Sequence, residues 1–117
     1  MRHKLSNNKL SRPSSQRKAL LRNLVSDVIM HGRIKTTKAK AKEARPILEK
    51  MITLSKTKDF NSIRKVSEFI TDKSVVDHLF ENVSDKFYER NGGYSRIIPM
   101  GNRLGDNAEI AILELVD

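Results

Sequence analysis

Ala108-Glu109-Ile110-Ala111-Ile112-Leu113-Glu114-Leu115 decides the fold class. It is a short, mainly aliphatic run with no Gly or Pro inside it, and it reads as a strand. Upstream, Tyr94-Ser95-Arg96-Ile97-Ile98 has the same character. The connection Gly101 to Asn107 is rich in Gly and Asn, so the two segments are expected to pair as an antiparallel hairpin. Pro99 has no amide to donate, which excludes a central position for the end of the first strand. Asn91-Gly92-Gly93 is the turn that leads into it. A hairpin closing an otherwise helical chain points to an α+β domain.

Helical periodicity fills the residues before that turn. Leu20/Leu21, Leu24/Val25 and Val28/Ile29 recur every four residues after Pro13-Ser14-Ser15. This predicts a first helix that opens on Ser14 or Ser15 as N-cap and ends at Gly32. Lys18 and Arg22 lie together beside the apolar stripe. Arg33-Ile34-Lys35-Thr36 is a short candidate strand, and Thr37 is placed to cap a second helix running to Ser55. Ala41, Ala44, Leu48, Met51, Ile52 and Ser55 share its inner face; Lys38, Lys42 and Arg45 share another. Pro46 is expected to kink that helix or split it near Arg45. Helices are further expected over Ser62 to Ile70 and Ser74 to Asn82, with one more turn capped by Ser84-Asp85 and carrying Phe87 and Tyr88.

At 117 residues the chain has room for one modest core, burying about two-thirds of its unfolded surface. Residues 1–13 read as a basic arm and 14–117 as a single domain. The balance of 23 Lys and Arg against 14 Asp and Glu, a formal charge of +9, implies a polyanionic partner. The excess is confined. Residues 1–45 hold 13 cations and only Asp27 and Glu43, while residues 46–117 hold 10 cations and 12 acids. The arm offers Arg2, His3, Lys4, Lys9 and Arg12 but only Leu5 and Leu10 as large apolar groups, which argues against membrane insertion. A merely solubilising tail has a similar composition. No signal peptide or membrane span is visible, so a soluble intracellular protein is expected.

The absence of Cys removes thiol catalysis and Cys-type zinc sites, and His3, His31 and His78 lack metal-ligand spacing. No carboxylate pair stands out, so no enzyme, cofactor, metal or small-molecule substrate is expected. What does stand out is cations where helix physics disfavours them. A helix start carries partial positive charge. Yet the first helix opens with Ser14, Ser15, Arg17 and Lys18, with Arg22 on the next turn, and the second with Lys38, Lys40 and Lys42. Bound phosphate answers both clusters at once, because amides, dipole and side chains converge on one anion. Lys35, Thr36 and Thr37 add donors beside the second cluster; one of the two Thr is expected to serve only as strand end or cap. Two roles fit the segment after Arg90: Tyr94 stacks on a base and Arg96 binds phosphate, or the segment is a plain turn with Tyr94 at the rim of the core. Arg103, on the following loop, is open to the same two roles. The charge map also admits a free nucleoid-type or regulatory nucleic-acid binder.

Several blocks together carry a resemblance: Met1-Arg2-His3, Ser14-Ser15-Gln16-Arg17-Lys18-Ala19-Leu20-Leu21-Arg22-Asn23, and Ile34-Lys35-Thr36-Thr37 followed by Lys40-Ala41-Lys42-Glu43-Ala44-Arg45. Met51-Ile52-Thr53-Leu54-Ser55-Lys56, Asn91-Gly92-Gly93-Tyr94-Ser95-Arg96-Ile97, Gly105-Asp106-Asn107-Ala108 and Glu114-Leu115-Val116-Asp117 complete it. Nearly end to end, the sequence resembles the bacterial-type large ribosomal subunit protein seventeen family. The resemblance implies a structural, cytoplasmic component of the large subunit that binds ribosomal RNA (rRNA). It implies helices packed on a small mixed three-stranded sheet in the order α-β-α-α-α-β-β. It also implies a position on the solvent side near the polypeptide exit region, beside other ribosomal proteins.

Overall fold

The computed structural model describes residues 14–116; the arm expected over residues 1–13 lies outside them. Helix α1 spans Ser14–His31, strand β1 Arg33–Thr37 and helix α2 Lys38–Ser55. Helix α3 spans Phe60–Phe69. Helix α4, Lys73–His78, runs on through a π-helical turn over Leu79–Val83 into the short α5, Ser84–Lys86. Strands β2, Ser95–Asn102, and β3, Glu109–Leu115, close the fold. The α+β architecture and the element order follow the expected sequence.

Each element has a local cause. Gly32 takes φ +86° and donates to Val28 O at 2.7 Å, which ends α1. Thr37 caps α2, its hydroxyl oxygen accepting from the Lys40 amide at 3.4 Å. The Asp59 carboxylate caps α3 by accepting from the Ser62 amide at 2.7 Å, and that bond holds its pKa below the ordinary range. Asp72 caps α4 through Ser74 in the same way.

The sheet has the order β1-β3-β2, and both pairings are antiparallel. The expected mixed sheet is therefore corrected: β3 returns between the other two strands and runs against each. Ile34 and Ile97 both face Leu113 in register, forming the row that packs on the helices. Pro99 lies on an edge strand, where its missing amide costs no ladder bond to a second neighbour.

The core is built by Val25, Val28 and Ile29 of α1, Ala41, Ala44, Leu48 and Ile52 of α2, with Val66, Ile70, Leu79, Phe87 and Leu113 around them. Helix α2 is continuous through Pro46, so of the two outcomes expected there, a kink or a split, the split does not occur. Proline inside a helix costs about 3 kcal/mol or more, and the wholly buried residues on both sides of it hold the helix in one piece. The expected separate turn after Asn82 is also corrected. Ser84 does not cap it; its amide bonds Leu79 O across a π turn, and its buried hydroxyl donates to Phe80 O at 2.7 Å. Of the two aromatics on this turn, Phe87 is buried and Tyr88 is exposed.

Candidate nucleic-acid interface

The first turns of α1 and α2 contain no acid. Among the described residues, Arg17, Lys18, Lys35, Lys40 and Lys42 enter no ion pair. Lys18, Lys35 and Lys42 are exposed; Arg17 and Lys40 are half-buried. The two clusters are not neighbours. Lys18 shares an open groove with Lys50, Met51, Leu54 and Lys65, so the start of α1 lies against the last turns of α2, about 20 Å along that helix from its own first turn. Lys50 and Lys65 were not legible as partners of Lys18, because α2 and α3 meet α1 only in the folded chain.

At the other end, Lys35, Thr36, Thr37, Lys40 and Arg103 line one open cleft of about 580 Å³. Lys38 and Lys42 flank a second, shallower groove on the far side of Thr37. There Lys38 is 3.7 Å from Glu109, an exposed pair of small energetic weight. Thr37 serves as the cap, as one of the two threonines was expected to; its hydroxyl oxygen accepts from the helix, leaving the hydroxyl proton to donate outward.

Other site residues expected from the sequence are committed within the fold. Arg22 Nε donates to Phe69 O at 2.6 Å, and its guanidinium lies 5.7 Å from the Phe69 ring centroid. It ties α1 to the end of α3. Arg90 Nε donates to Gly93 O at 3.1 Å, and Lys56 Nζ donates to Arg90 O. Arg96 Nε bonds Glu114 Oε2 at 2.6 Å, while Arg33 Nη2 meets Glu114 Oε1 at 3.1 Å. One nearly buried carboxylate thus joins both edge strands across β3.

The base-stacking role for Tyr94 is corrected. Tyr94 is 1% exposed, its ring centroid lies 5.3 Å from that of Phe87, and its hydroxyl meets Thr53 Oγ1 at 3.2 Å. Its amide and that of Ser95 donate to the two Glu49 carboxylate oxygens at 3.1 and 2.8 Å, and Arg45 Nη2 donates to Ser95 O at 3.1 Å. The segment from Asn91 to Arg96 is therefore a turn clamped onto α2, with no ring surface offered to a base.

Arg103 is held by Asp106, Nε to Oδ1 at 3.0 Å with a second contact from Nη2 to Oδ2. That bond first, and the Ala108 amide second, bring the Asp106 pKa down from 3.8 to about 2. A depressed carboxylate stabilises the fold above its unfolded pKa, and the contribution is lost as pH falls through the folded one. The expected result is a carbon-13 NMR titration of Asp106 with its midpoint near 2, returning towards 3.8 in Arg103→Ala.

Among the described residues no group of three His, Asp or Glu could hold a metal ion, and no helix is long and apolar enough to cross a membrane. The two helix starts open onto separate grooves rich in cations, with Glu68 in the lining of one and Glu109 in that of another. Residues 20–116 match the family Ribosomal protein L17. The chain belongs to that family. It is 56% identical over 108 residues to the large ribosomal subunit protein bL17 of Clostridium botulinum (strain Hall), covering 92% of this chain and 96% of the relative. The protein of the same name from Clostridium perfringens (strain SM101) is 54% identical over the same shares. Membership of the Ribosomal protein L17 family makes the chain a structural, non-enzymatic component of the large ribosomal subunit, and so of the cytoplasm.

Proposed function

We propose that this member of the Ribosomal protein L17 family binds and stabilises large-subunit rRNA through its basic arm and through the cationic starts of α1 and α2. The observation that carries this is that the first turns of α1 and α2 hold no acid and that, among the described residues, Arg17, Lys18, Lys40 and Lys42 at those helix starts enter no ion pair. Each such cation costs a few tenths of a kcal/mol, up to ~1, until an anion answers it. Because the two starts lie far apart on the molecule, they suit two separate stretches of backbone, and the protein pins those stretches relative to each other. Arg2, His3, Lys4, Lys9 and Arg12 supply the arm's share. Arg90, Arg96 and Arg103, already bonded within the fold, contribute field more than contact. The resemblance in sequence supports a seat on the solvent side near the polypeptide exit region, beside neighbouring ribosomal proteins.

Affinity for full-length large-subunit rRNA is the test. With six to ten phosphates engaged, it falls about 10³-fold or more between 50 and 200 mM salt. An affinity nearly independent of salt, or equal affinity for duplex DNA in competition, contradicts the proposal.

A further inference from the structure

We infer that the cleft between the start of α2 and the β2–β3 loop holds one unstacked nucleotide of the rRNA, an inference that rests on the rRNA-binding proposal. The cleft has two chemistries side by side. Lys35, Thr36, Thr37 and Lys40 line it from the β1–α2 junction, and no acid is among the lining residues. Met100 and Leu104 line it from the β2–β3 segment together with Asn102 and Arg103, the latter bonded to Asp106, and Ile110 lines the cleft beside Thr37, with which it is in register. An occupant that joins an anionic group to a flat or apolar one matches this mixture of cations and exposed aliphatic side chains. A nucleotide has that division: its phosphate meets the lysines and its base lies on the aliphatic wall. The volume of about 580 Å³ falls within the usual range of ligand clefts, about 300–1,000 Å³.

The apolar wall is shaped by the backbone. Pro99 pairs with Ala111 and Asn102 with Glu109, so β2 carries one extra residue there. Gly101 absorbs the bulge at φ +87°. Beyond it the loop is fastened: Arg103 N donates to Ala108 O at 2.7 Å, Asn107 N to Arg103 O at 2.9 Å, and Asn102 Nδ2 to Asn107 Oδ1 at 3.0 Å. Leu104 is 96% exposed and Met100 51% on this bonded frame. Presenting large apolar side chains to water on a well-tied loop makes sense where a partner covers them, since little order is left to impose on binding. A duplex cannot enter, because its bases are stacked and its phosphates alone reach the lysines.

The test compares the full chain with Met100→Ser/Leu104→Ser and with Lys35→Gln/Lys40→Gln. The probes are full-length large-subunit rRNA from the cells that make the chain and an RNA duplex of arbitrary sequence. Circular dichroism checks that each variant folds. The serine pair is expected to bind rRNA about tenfold more weakly with an unchanged salt slope, and to bind the duplex as the parent does. The glutamine pair is expected to lower the salt slope by about 1.5 on both probes. Wild-type rRNA affinity in the serine pair overturns the inference. If that variant binds rRNA normally yet is lost from reconstituted large subunits, the wall docks a protein and the inference is equally overturned. Arg17→Gln/Lys18→Gln, measured alongside, separates the two levels. Weakened binding in that pair alone condemns only the cleft, whereas no loss in any variant condemns rRNA binding by these cations.

Discussion

Replacing Arg17, Lys18, Lys35, Lys40 and Lys42 together by Gln lowers affinity for large-subunit rRNA about 10³-fold or more at 0.1 M salt, and the difference closes as salt approaches 1 M. Each lost phosphate contact removes about 0.7–0.9 from the slope of log affinity against log salt, so five remove about 4. The fold is unaffected, because none of the five side chains has an ion-pair partner among the described residues. Taking cations out of two first turns stabilises the helices slightly. Arg22 and Arg96 are left out of this variant on purpose. Their guanidinium groups hold Phe69 O and the Glu114 carboxylate, and losing them mixes stability with binding. Filter binding across a salt series measures the slope, and circular dichroism confirms the fold. An unchanged slope sinks the assignment of these five residues to phosphate.

Tyr94→Ala has the largest expected effect on stability. Truncating a wholly buried aromatic ring costs about 3–5 kcal/mol; here it also removes the ring beside Phe87 and the ring face over which the Lys56 ammonium lies. Tyr94→Phe keeps the ring and loses only the contact with Thr53, a cost of about 1 kcal/mol. Urea denaturation followed by circular dichroism measures both. The folded Tyr94→Phe protein binds rRNA as the parent does. A Tyr94→Ala protein of normal stability that binds RNA poorly reverses the assignment of Tyr94 from core to contact.

Much of the fold was legible because it is local. In α1 the four-residue recurrence names Leu21, Val25, Val28 and Ile29, which are buried, and Leu20 and Leu24, which are half-buried, and every residue named for the inner face of α2 is buried. The Gly- and Asn-rich connection gave the hairpin, and Pro99 gave its edge. What escaped is non-local. Nothing in Arg33–Thr37 says that it runs antiparallel to a strand more than 70 residues away. The π turn at Leu79–Val83 reads as an ordinary helix because its apolar residues still fall on one side. The site shows the same division. Cations at helix starts could be located from spacing alone. The commitment of Arg22 to Phe69, of Arg96 to Glu114 and of Glu49 to the turn at Tyr94 could not, since each partner comes from a distant segment. Tyr94 illustrates the cost: two glycines beside an aromatic fit a stacking loop and a clamped turn equally well until the carboxylate of Glu49 is placed.

The most direct test is the structure of an assembled large subunit containing this chain. The Lys40 and Lys42 amines at one end, and the Arg17 and Lys18 side chains at the other, are expected within about 3–4 Å of phosphate oxygens from two separate stretches of rRNA. Both helix starts facing bulk water, with the nucleotides gathered instead around the acid-bearing surface from Asp59 to Glu89, would contradict the account.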